Sequence, residues 1–349
     1  MEEYSDLSLT VSPSPHIKHT ERTRSIMYDV AIALFPAILF GVYNFGLRVL
    51  TLTVISVLSC IGFEALWQAL RKQPLRISDG SSLVTGLLLA CNLPVSAPLW
   101  LPVPGALFAI ILVKELFGGI GKNIVNPALA ARVFLFFSFP AYMSRYTVSL
   151  AKYSSGLSGF LHNGLPAFAI APSVDGVTCA TPLAQVMEGM VPTISGVGVK
   201  EAVLGFKGGM IGEVSAVFLL IGGVYLLMRR VITWHIPVAY LGTVAALALI
   251  FAPAGELSRM DFCIYFLCSG GLMLAALFMA TDYVTSPLTA KGKLLYGFGC
   301  GVLTVFLRFF GSYAEGVSFA VLIMNLLVYY IDKITMPKPF GGKRSHAKN

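Results

Sequence analysis

From Met27 to Asp332 the chain is written mostly in apolar runs of about 20 residues, each closed by a short polar or Pro/Gly-rich break. A run of that length carries a helix across the roughly 30 Å hydrocarbon core of a bilayer. The pattern predicts spans near 27–46, 49–70, 80–97, 100–118 and 127–144, then near 209–228, 231–252, 262–281, 293–310 and 316–332. The Pro-rich stretch CNLPVSAPLWLPVPG (91–105) interrupts the third and fourth. Residues 145–208 are the one long polar interval. The expected organisation is therefore an N-terminal segment (1–26), a first membrane unit (27–144), an extramembrane segment (145–208), a second membrane unit (209–332) and a basic tail (333–349). Before Ile26 no short apolar core is followed by a small-residue cleavage site, so a signal peptide is not expected.

The two membrane units repeat one order of features. Residues 83–126 and 273–325 each run from an apolar stretch through a Pro/Ser break to a Gly-containing helix with a cation inside it (Lys114, Arg308), then a Gly-rich turn and Asn. Placing both termini on one side puts sixteen of the 25 Lys and Arg there, six on the other side and three inside spans. Positive residues accumulate on the cytoplasmic side, so both ends are expected inside and 145–208 outside. The first Pro/Ser break then faces out and the second faces in. The expected fold is an all-α polytopic membrane protein of about ten helices, built as two inverted five-helix repeats with broken helices, a plan used by transporters. Gly/Pro-interrupted apolar segments also look alike by composition alone, and that reading stays open.

Composition narrows the function classes. The chain is 56% hydrophobic and 12% charged, with mean hydropathy +0.78, where soluble domains carry about 25% charged residues. Disordered chains, coiled coils and nucleic-acid modules need denser charge, and the net charge of +8 reports topology instead. The chain has no Walker loop, HExxH or CxxC; its six Cys are scattered and its His lie mostly in tails and loops, so a metal site is not expected. Glu64, Lys114, Glu115, Arg132 and Arg308 fall inside predicted spans, where a charge costs about 2.5–3.5 kcal/mol on insertion scales. Each needs a partner or a role. Ion pairs between the halves or with neighbouring subunits are one reading; an ion path through Glu64 or Glu115 is the sharper one.

The outer segment contains Asp175-Gly176-Val177-Thr178-Cys179-Ala180-Thr181-Pro182. Thr before Pro is an ordinary helix start, with Thr as N-cap and Pro in the first helical position. The same residues, Asp175, Thr178, Cys179, Ala180 and Thr181, resemble the flavinylation motif Asp-x-x-Thr-x-Ala-Thr, with Cys179 where Gly is usual. The resemblance implies that the Thr181 hydroxyl attacks the pyrophosphate of FAD and keeps FMN as a phosphoester. A helix N-terminus would stabilise that phosphate, so cap and attachment site are compatible.

Two further stretches, Asp79–Gly86 (DGSSLVTG) and Lys114–Ala128 (KELFGGIGKNIVNPA), stand in order ahead of it. Together the three resemble the D-type membrane component of the Rnf complex and the related B-type component of the Na⁺-pumping NADH:quinone reductase, over about residues 20–335. That resemblance implies a subunit of a complex in the bacterial cytoplasmic membrane. The complex passes electrons between ferredoxin and NAD⁺ and moves Na⁺ or H⁺, its outer FMN is installed by a flavin transferase, and the subunit is not catalytic alone. It also implies a second, non-covalent flavin, riboflavin, nearer the cytoplasm. Asn123 and Asn126 lie about one helical turn apart and their amides match the donor and acceptor edge of a flavin; Asp282 lies on the same side in the second half. The plain alternative is that the two Asn cap the helix after Pro127. The rival function is a small-solute channel or carrier on the same scaffold without a redox cofactor, which has no use for the Asp175–Thr181 loop.

Overall fold

The computed structural model describes residues 23–74, 77–144, 199–205, 209–213, 215–253, 258–311 and 316–337. Among them every regular element is helical, apart from one isolated bridge between Pro94 and Met210. Helices α1 (Thr23–Phe45) and α2 (Arg48–Leu70) open the first half. At 1.5 Å per residue their 23 residues reach across a bilayer core. Then come α3 (Ser81–Cys91), α4 (Pro102–Leu107), α5 (Pro127–Ser138) and the single turn α6 (Pro140–Met143). After α7 (Val199–Leu204), the second half comprises α8 (Ala216–Met228), α9 (His235–Phe251), α10 (Arg259–Cys268), α11 (Leu272–Leu274), α12 (Ala290–Phe310) and α13 (Val317–Thr335).

Four helices, α1, α2, α12 and α13, are long and apolar enough to cross a membrane. A fifth span results if α10 and α11 with its continuation, bent by 61°, count as one. The chain is a multi-pass membrane protein, but the continuous helices among the described residues are fewer than the ten expected. The predicted spans at 80–97, 127–144 and 209–228 shrink to helices of 11, 12 and 13 residues. The cause is local chemistry. Pro94 and Pro98 carry no N–H and cannot extend α3, and Arg48 stabilises the opened chain by donating to Val95 O (2.8 Å) and Ala97 O (2.9 Å). Residues 209–213 do not start a helix. They pair with the end of α3, Gly212 N donating to Cys91 O (2.8 Å) and Ile211 N to Leu93 O (3.0 Å).

Two helices widen into π turns, the first beyond the Pro/Ser break of its half and the second ahead of the break of its half. α4 continues through Phe108–Glu115 and α11 through Ala275–Met279. Gly119 N donates to Lys114 O (3.0 Å) and Ala280 N to Ala275 O (2.7 Å), each five residues back. Such turns relax the backbone and often adjoin functional sites. Both broken helices start from a left-handed glycine, Gly80 (φ 79°) before α3 and Gly271 (φ 69°) before α11, a conformation that glycine adopts without steric cost.

Candidate functional site

The residues that sequence singles out in the first half converge on the start of α3. Asp79 Oδ1 accepts from Ser81 N (2.9 Å) and from Ser81 Oγ (2.8 Å), fixing the turn from which α3 begins. The Ser81 hydroxyl in turn accepts from Lys114 Nζ (2.6 Å), which also donates to Glu64 Oε1 (2.8 Å). Gln68 Nε2 reaches the same Glu64 oxygen at 3.3 Å. Lys114 and Glu64 are only 3% and 1% exposed, so the charges compensate each other in a low dielectric, as a buried pair must. The second oxygen of Glu64 is buried and accepts no hydrogen bond among the described residues. Glu115, the next residue, is also buried.

Ion pairs between the halves are one expectation for these charges, and the structure corrects it for Lys114, which pairs within the first half. Arg132 donates to Asn92 Oδ1 (3.0 Å) in that same half. Arg308 donates to Phe266 O and Ser269 O of the second half, both at 2.7 Å, with its guanidinium 4.5 Å from the Phe266 ring centre. An ion pair that does join the halves stands at a place the sequence reading did not single out. Asp29 of α1 accepts from Tyr225 Oη (2.9 Å) and Arg229 Nη2 (3.2 Å) of α8. The hint in the sequence is an acidic residue two positions past a predicted span start.

Asn126 is the N-cap of α5. Its Oδ1 accepts from Ala128 N (3.0 Å) and Leu129 N (3.4 Å), while its Nδ2 donates to Met279 O (3.3 Å) across to the second half. Pro127 follows in the first helical position, as the capping alternative expects. Asn123 donates to Val125 O (3.1 Å) and lines the same cavity as Asp282. Asp282 accepts from Thr285 Oγ1 (3.2 Å), which orders the loop after the second π turn.

These groups border one cavity. Asn123, Asn126 and Asp282 line it together with Lys114 and Ser81, and the rest of its wall is mostly apolar, including Met27, Leu88, Leu226 and Phe278. It measures about 110 Å³, on a scale where one water needs roughly 10–15 Å³. A mostly apolar cleft with a few convergent polar groups is the usual form of a small-molecule site. A flavin ring suits it chemically: the imide edge both donates and accepts, and the benzenoid end is apolar. Asn126 offers little of its amide, because the cap and Met279 already engage it; Asn123, Asp282 and Lys114 are the better-placed polar partners. Sequence reasoning missed Lys114 and Ser81 as cavity residues, although the DGSS and KELF stretches hold them.

Thr181, with Asp175, Thr178, Cys179 and Ala180, lies outside the described residues, as do the other residues of 145–198. Cys60, Cys91, Cys263 and Cys300 are buried free thiols. Among the described residues no three His, Cys, Asp or Glu gather as a metal site.

A family model described as the NQR2, RnfD, RnfE family matches residues 10–341. The D component of the Na⁺-translocating ferredoxin:NAD⁺ oxidoreductase complex of Acetobacterium woodii is 43% identical, over 96% of each chain. Its counterpart in the proton-translocating ferredoxin:NAD⁺ oxidoreductase complex of Clostridium ljungdahlii is 38% identical, over 96% of this chain and 97% of that one. The D component of the ion-translocating oxidoreductase complex of Stutzerimonas stutzeri is 39% identical, over 90% and 91%. With near-complete coverage on both sides, the chain belongs to the NQR2, RnfD, RnfE family.

Proposed function

We propose that this chain is the D-type membrane subunit of an ion-translocating ferredoxin:NAD⁺ oxidoreductase, carrying FMN on Thr181 and a second, non-covalent flavin in the cavity. The observation that supports it most is that Asn123 and Asp282 line a single cavity. These residues are 159 apart in sequence, and the chemistry of their side chains suits the edge of one ligand. The relatives named for Na⁺ and for protons are similarly close, so the family leaves the ion open. Other subunits of the complex, a flavin transferase and the translocated cation are its partners in this reading, and the cytoplasmic membrane is its place.

The ten-span inverted plan belongs to the same proposal, and contacts at the two ends support it. Tyr283 hydrogen bonds to Val231 O, Lys293 Nζ donates to Thr233 Oγ1 (3.2 Å), and Asp332 accepts from Leu288 N (3.1 Å). These gather the loop after α8, the second Pro/Ser break and the end of α13 on one side, the predicted cytoplasmic one. The first break instead packs with Arg48 and residues 210–212, on the predicted outer side.

In this mechanism the bound flavins supply one-electron transfer, and the protein supplies position, polarity and dryness. Asn123 and Asp282 would hold the polar part of the ring, and Met27, Leu226 and Phe278 would keep water from its apolar part. Glu64 and Glu115 are buried carboxylates available to an ion path. In-gel fluorescence of denatured protein, co-expressed with a flavin transferase, tests the first flavin: a band in wild type and none in Thr181→Ala is expected. A dark wild type would return the loop to a plain helix cap. Asn123→Ala is expected to lose flavin released by heat while keeping the covalent band.

A further inference from the structure

An ammonium has three donors, and Lys114 directs two of them to Glu64 Oε1 and Ser81 Oγ. The third belongs to a group that forms part of the cavity wall, whereas Glu64 is not on that wall. The buried pair is thus oriented, its positive end toward the cavity and its negative end behind. Asp282 and Asn123 line the same cavity. The cavity wall therefore includes a buried cation whose counter-charge lies behind it.

We propose that Lys114 is a tuning and specificity residue for the group bound in this cavity. It faces the acceptor edge of the ring and favours the ring's reduced form, while Glu64 sets how much of its charge the ring feels. This rests on the reading of the cavity as a flavin site. Each electron added to a neutral ring adds one negative charge, and in a buried site a nearby fixed cation offsets that charge far more than water-exposed lysines do. Removing the cation or removing its counter-charge must then shift the balance between reduced and oxidised forms in opposite directions. A lysine that merely holds helices together predicts no such reversal.

The test uses the full chain in detergent with Thr181→Ala, so that riboflavin in the cavity is the only flavin present. Reduction by dithionite is followed by absorbance, and the ratio of affinities for reduced and oxidised riboflavin is read for four proteins. The expected order, from most to least favourable to the reduced form, is Glu64→Gln, the parent, the double variant Lys114→Met/Glu64→Gln, then Lys114→Met. The two single variants should differ by on the order of tenfold or more in that ratio. Lys114→Met alone strands a buried carboxylate and is the variant most at risk of misfolding; the double variant is charge-neutral and must still fall below both Glu64→Gln and the parent. A parent that binds no riboflavin overturns the cavity reading and this inference together. Riboflavin bound with the same ratio in all four, or shifted the same way by both single variants, overturns the role of Lys114 alone.

Discussion

Lys114 and Arg308 occupy corresponding places in the two halves of the sequence, each in a Gly-containing helix beyond a Pro/Ser break, and each is almost wholly buried. Their partners differ in kind. Arg308 donates to two backbone carbonyls, Phe266 O and Ser269 O, at the end of α10 where the broken helix stops. Those carbonyls have no onward helix to bond them, and a planar fork of donors suits two acceptors at once. Lys114 instead meets a carboxylate and a hydroxyl and borders a cavity. A cation bound to carbonyls is a fixed cap. One bound to a carboxylate beside a cavity is a charge whose effect can be altered.

The largest expected difference lies in stability. Arg308→Met strips the donors from two buried carbonyls, each costing about 1–3 kcal/mol when left unsatisfied. It should lower the melting temperature of the purified protein strongly, even with every flavin in place. The charge-neutral double variant Lys114→Met/Glu64→Gln strands no buried charge and should move the melting temperature far less while shifting the cavity's redox preference. Equal thermal losses in the two would erase the distinction between a capping cation and a tuning one.

Asn126→Ala is an intermediate case and sharpens the same contrast. It removes an N-cap worth about 1 kcal/mol together with the bond to Met279 O that ties the halves at the cavity. Because its amide is already engaged, the expected outcome is a moderate loss of stability with non-covalent flavin weakened less than in Asn123→Ala. Flavin content of the two variants, purified side by side, decides this. A greater loss in Asn126→Ala would make Asn126 the principal ligand.

The legible part of this molecule is what depends on neighbours in sequence. The long apolar runs are α1, α2, α12 and α13 within a few residues, and Asn126 before Pro127 announces its cap. That Asn123 and Asp282 share a cavity is reachable because both are polar residues at the ends of spans expected on one side. What stays hidden depends on side chains meeting across helices. No periodicity shows that Glu64, fifty positions before Lys114, lies at 2.8 Å from it. Nor does one show that residues 209–213 fold back on α3 rather than begin a helix. The shortened helices are hard to foresee for another reason: apolar residues continue past Cys91 and before Ala216, and only the missing N–H of proline and the bridge to Met210 end the helical bonding.

The smallest effect is expected at the ion pair that joins the halves. Asp29 is nearly buried, but the Arg229 side chain is 53% exposed, and such pairs contribute about 0–1 kcal/mol. Asp29→Asn keeps an acceptor for the Tyr225 hydroxyl, so its cost should fall at the lower end, a barely measurable shift in melting temperature. The close packing of α1 on α8 carries that contact instead: a Cβ at Gly222 would collide with the Ala33 carbonyl, and small residues are what let membrane helices approach so near. If Asp29→Asn separates the halves as thoroughly as Gly222→Val, judged by limited proteolysis between α7 and α8, then charge rather than packing holds them. The contrast between the fixed cation and the tuning one would then extend to a third, at the seam between them.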